Sequence, residues 1–146
     1  MWRLAAPILC LLVLSACDRE DEATPVGCVA GDDAVLEALE KAPGKVRLEG
    51  TPLSSCLRDT TDGEALQSVG AAYLNAATTL ADRAGEDPDG EAALQLGYLL
   101  GALKRSEAGA QGVGYELGRR LRSEAARVEE GSKAFDRGRR AGTEGG

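Results

Sequence analysis

Residues 61–105, "TDGEALQSVGAAYLNAATTLADRAGEDPDGEAALQLGYLLGALKR", decide the fold. Thr61 and Glu64 stand at capping-box spacing. Beyond them Leu66, Val69, Tyr73, Ala76, Ala77, Leu80 and Ala84 recur at steps of three and four, the period of one helix face. Gly85 and Pro88 end that helix. Asp87 or Asp89 then stands where a second helix needs its cap, and Ala93, Leu96, Leu99, Leu100 and Leu103 supply its apolar stripe. So short a connection makes the two helices antiparallel neighbours.

The flanks add shorter helices. Asp32 or Asp33 can cap a helix near 33–42, where Val35, Leu36 and Leu39 fall at helical spacing and Pro43-Gly44 stops it. Val46-Arg47-Leu48 alternates but is too short to found a sheet. Thr51-Pro52 offers an N-cap followed by a proline at the first helical position, with Leu53, Cys56 and Leu57 on one face. After the hinge-like "AGAQGVG" at 108–114, Leu117, Leu121, Ala125 and Val128 suggest a further helix ending near Gly131. The expectation is an all-α protein: a small bundle of three to four helices around an antiparallel hairpin. The domain spans 31–130, and the glycine-rich, charged stretch 131–146 reads as a disordered tail.

On the second long helix Ala93, Gly97 and Gly101 recur every fourth residue. Small residues at that spacing let two backbones approach closely. The reading is helix packing inside the hairpin, with a homodimer face as the alternative. Each interior glycine costs about 1 kcal/mol of helix propensity relative to alanine, so a packing gain should offset it.

The N-terminus decides the address. Arg3 precedes an uncharged run over residues 4–16 that ends in small residues before Cys17, the layout of a secretory signal. Thirteen helical residues reach only about 20 Å, short of the roughly 30 Å hydrocarbon core. Leu14-Ser15-Ala16-Cys17 resembles the lipobox of bacterial lipoproteins: an aliphatic residue, two small ones and an obligatory cysteine. The resemblance covers residues 1–17. It implies cleavage of residues 1–16 as a signal peptide, a diacylglycerol thioether on Cys17, and acylation of the new amino group. Two or three chains of that kind anchor stably, since each buried methylene contributes about 0.8 kcal/mol. The expected location is therefore extracytoplasmic, on the bacterial cell membrane or its periplasmic face. Residues 17–30 then read as the lipidated cysteine and an acidic tether.

If Cys10 leaves with the signal and Cys17 takes lipid, Cys28 and Cys56 remain as a pair in an oxidising compartment, and a disulfide is expected. The rival, a two-thiol metal or redox site, lacks Cys-x-x-Cys spacing and any histidine to complete a ligand set.

The full chain carries 17 basic and 24 acidic residues, a net charge of −7. Such a balance argues against attraction to nucleic acid or to anionic lipid as the main function. Residues 18–64 hold 12 acidic and 5 basic residues, whereas 116–146 hold 6 and 8. Arg119, Arg120, Arg122 and Arg127 are the candidate patch for an anionic partner, although Glu116, Glu124, Glu129 and Glu130 lie among them and no aromatic residue interleaves for stacking. The absence of histidine removes His-based triads and HExxH metallopeptidases. There is no Ser-x-x-Lys or Gly-x-Ser-x-Gly motif. Counted from Asp87, "DPDG" puts glycine at position four rather than six and Tyr98 at position twelve, so it is not an EF-hand loop. No catalytic residue, metal site or cofactor is expected. The expected function is a non-enzymatic helical module that binds another envelope protein. The alternative is a small apolar or lipidic ligand held between the long helices.

Overall fold

The computed structural model describes residues 23–107, 113–129 and 132–146. Residues 1–22, which carry the expected signal peptide, Cys17 and the start of the expected tether, lie outside the described residues, as do residues 108–112 of the glycine-rich stretch and 130–131.

Among the described residues a 3-10 turn, Val26–Val29, leads into six helices: α1 (Asp32–Leu39), α2 (Leu53–Arg58), α3 (Gly63–Glu86), α4 (Glu91–Ser106), α5 (Val113–Glu129) and α6 (Lys133–Gly145). The expected three to four helices thus become six. Between α1 and α2 the segment judged too short for a sheet forms a minimal hairpin, β1 (Arg47–Leu48) paired antiparallel with β2 (Thr51–Pro52). Its two-residue turn works because Glu49 and Gly50 both take positive φ, 46° and 91°, as tight hairpin turns require. Thr51-Pro52 therefore belongs to a strand, and Pro52 is the cap residue of α2.

Several helix starts differ from the sequence reading by a residue. Gly31 stands at the N-cap of α1, with Asp32 and Asp33 already in its first turn. At α3 the capping side chain is Asp62, which accepts from the Ala65 N–H at 2.7 Å, in place of the Thr61 capping box. At α4 the cap position belongs to Gly90.

Helix α4 is the centre of the molecule. Every residue from Ala93 to Leu103 is buried, as expected of a helix surrounded on all sides, and α2, α3, α5 and α6 pack around it. Tyr73 of α3 donates through its hydroxyl to Leu53 O at 2.9 Å, and Tyr98 of α4 accepts from the Val46 N–H at 3.3 Å. Two buried phenols thereby tie α2 and the hairpin to the long helices. Leu117, Leu121, Ala125 and Val128 seat α5.

The largest departure is at the C-terminus. Residues 133–145 form α6, packed along α4, where a disordered tail was expected. Gly97 and Gly101 of α4 face Gly138 and Gly142 of α6 so closely that a Cβ on any of the four would run into a carbonyl oxygen opposite: Phe135 and Arg139 on α6, Leu94 and Tyr98 on α4. The contacts climb both helices in the same direction, so the pair is parallel. Gly97 and Gly101 of the stripe thus pack against α6, and not inside the hairpin with α3 as the sequence suggests. The glycines that suggested disorder are the residues that let α6 dock, and Phe135, fully buried, adds the bulk.

Loop α3–α4 fixes the start of α6. Ser132 Oγ accepts from Phe135 N–H at 3.0 Å and donates to Pro88 O at 2.6 Å. Asp89 accepts from the N–H groups of Lys133 and Ala134 at 2.8 and 3.2 Å. The aspartate expected to cap α4 caps α6 instead. At the other end Arg105 donates to Thr143 O and Glu144 O at 3.2 and 2.7 Å, satisfying the last carbonyls of α6.

Candidate functional site

The disulfide joins Cys28 to Cys56, both 1% exposed, and staples the 3-10 turn to α2. Residues 26–30 are thereby part of the fold, which shortens the tether expected over 17–30. Ser54 on the same short helix is buried and donates to Gly146 O at 2.6 Å, so α2 also holds the end of α6.

The arginines on α5 are largely spent on local carboxylates. Arg119 and Arg120 converge on Glu116 at 2.8 and 3.0 Å, and Arg122 reaches Glu107 at 3.0 Å. Hydrogen bonds from Arg119 and then Arg120 hold the Glu116 carboxyl at a pKa of about 2. The side chain of Arg127 lies outside the described residues. A patch built from these four residues is therefore mostly neutral where it is described.

The cationic surface lies one helix further on. Helix α6 and the last turn of α4 carry Lys104, Arg105, Lys133, Arg137, Arg139 and Arg140 against only Asp136 and Glu144, four positive charges in excess within a chain of net −7. Where α4 and α6 run side by side toward their C-termini, Lys104, Arg139, Arg140, Thr143 and Glu144 line a groove of about 390 Å3. Arg139 is oriented by Asp136 at 2.9 Å and lies over the Phe135 ring, 5.9 Å from its centroid. Lys104 and Arg140 are exposed and make no hydrogen bond or ion pair among the described residues. The close glycine packing holds both sides of the groove at a fixed separation. Reading 131–146 as a tail hid this surface. The signal was available in the repeat Ala134, Gly138, Gly142, which has the same period as Ala93, Gly97, Gly101.

A second cleft, about 290 Å3, is lined by Ala30, Ala34 and Ala38 together with residues of the hairpin. Glu37 and Glu49 in its lining balance Lys41 and Arg47, so it carries no net charge. No group of three or more metal-ligating side chains is present among the described residues, and no described helix is long and apolar enough to cross a membrane. Tyr73 and Leu80 of α3 and Leu96 and Leu99 of α4 are each fully buried. Comparison with family models, curated proteins and solved structures finds no match to this chain.

Proposed function

We propose that the chain is a lipid-anchored protein of the bacterial envelope whose domain acts by binding an anionic surface, without catalysis of its own. The observation that carries the binding reading is the segregation of charge: an acidic protein gathers six cations on α6 and the last turn of α4, on a scaffold locked by reciprocal glycine contacts. Rigid presentation favours recognition, because little conformational entropy is lost on binding. The anchor rests on the resemblance of residues 14–17 to a lipobox, and a buried disulfide suits an oxidising, extracytoplasmic compartment.

Cross-linking in cells, followed by purification from solubilised membranes, tests this reading. The wild type should be recovered from the membrane fraction with whatever it binds, and Cys17→Ala should be lost from that fraction. Charge reversal at Lys104 and Arg140 should abolish capture without releasing the chain. Equal membrane recovery of Cys17→Ala would remove the anchor, and capture indifferent to the charge reversal would remove the surface.

A further inference from the structure

We infer that the groove between the C-terminal turns of α4 and α6 is a docking face for anionic phospholipid headgroups, seating the domain on the bilayer that holds its anchor. This rests on the lipid-anchor reading above. The first argument is position. Ser54 of α2 is hydrogen-bonded to Gly146, at the end of α6, and its neighbour Ser55 shares a cleft with Ala23 and Pro25. The chain therefore enters the fold on the flank where α4 and α6 end. Cys17 is six residues upstream of Ala23, a connection that spans at most roughly 20 Å when fully extended. This flank cannot move far from the headgroups.

The second argument is chemistry. Arg140 offers a planar fork of donors and Lys104 a compact point charge, the two modes by which proteins hold phosphate oxygens. Val26, 75% exposed, and Val29, 41% exposed, are apolar residues beside the same entry point, suited to the headgroup boundary. Asp18, Glu20, Asp21 and Glu22 are repelled by the same headgroups, so the attraction must come from the folded domain. Glu144, in the lining of the groove, weakens the attraction, and salt screens what remains.

The full chain, isolated from host membranes in detergent, is reconstituted into vesicles of phosphatidylcholine alone or with phosphatidylglycerol, and its lysines are acylated with a water-soluble reagent. Lys133, at the far end of α6, is the internal reference. In the phosphatidylglycerol vesicles Lys104 should react about fivefold more slowly, the factor expected for one cation at an anionic surface. High salt should restore the rate, and Arg140→Glu, on an exposed position, should abolish the slowing while leaving Lys133 and the melting temperature unchanged. Equal Lys104 rates in both vesicle types overturn the proposal. Slowing in phosphatidylcholine alone that salt releases also overturns it, and assigns the groove to the acidic residues 18–22 of the chain itself. Slowing seen only in native membranes overturns it in favour of a protein partner. A chain that washes off both vesicle types in alkaline carbonate defeats the anchor reading, and the docking face falls with it.

Discussion

Glu116 accepts hydrogen bonds from two arginines while remaining open to water, and those bonds hold its pKa at about 2 against an ordinary 4.5. Because the folded value lies below the unfolded one, the stabilisation is complete above about pH 4.5 and drains away as the pH falls toward 2. Solvent screening keeps that contribution small. A carboxyl titration followed by NMR should find Glu116 among the last carboxylates to protonate, and Arg119→Gln should move its midpoint upward. The disulfide is the opposite case, a buried residue pair with a large effect. Closing the loop from Cys28 to Cys56 stabilises by about 3.5 kcal/mol in the chain-entropy estimate. Cys28→Ser and Cys56→Ser should therefore lower the melting temperature by similar amounts, and the double variant should fall no further; clearly unequal single variants would mean that the stability does not come from the cross-link.

Among elements, the α4–α6 pair is the one whose logic was hardest to read in the sequence. The long helices α3 and α4 were legible because their apolar residues are large and periodic. Helix α6 has one large apolar residue, Phe135, and docks otherwise through the absence of side chains at Gly138 and Gly142. A hydrophobicity pattern cannot register a contact made by missing atoms. The hairpin escaped for another reason, since its alternation over Val46-Arg47-Leu48 is too short to announce a sheet and its pairing depends on the turn at Glu49-Gly50. The basic groove was hard to read because its cations, Lys104 on one side and Arg139 and Arg140 on the other, lie 35 and 36 residues apart in sequence. Glycine substitutions separate the two roles of that residue. Gly85→Ala, where a Cβ meets open space, should stabilise by about 0.5–1 kcal/mol through helix propensity. Gly101→Ala gains the same propensity but drives a methyl group into Arg139 O, and should cost more than it gains by about 1–3 kcal/mol. Thermal melts of the two variants should move in opposite directions. Asp89→Ala, which leaves two N–H groups at the start of α6 without their acceptor, should cost about 1 kcal/mol.

At the scale of the molecule, the arrangement is a hub and its spokes, and that geometry determines how the protein comes apart. Helix α4 has no solvent face from Ala93 to Leu103, so its amides can reach water only when neighbours leave. Helix α6 is bound at both ends, through Ser132 and Asp89 at the start and through Arg105 and Ser54 at the finish, and along its length by the glycine contacts. It should therefore open together with α4. Helix α5 is polar on most of its surface and relies on one stripe of Leu117, Leu121, Ala125 and Val128. Native-state hydrogen exchange should thus place the central amides of α4 and α6 in one slow group that follows global unfolding, with α5 exchanging through a cheaper, local opening. Should α6 exchange at the rate of an unprotected segment while α4 stays slow, the C-terminal helix would not belong to the cooperative core, and a fixed basic groove could not exist. Exchange of α6 in step with α4 would instead mean that the groove lasts as long as the fold does, which is what a surface that must meet its partner already formed requires.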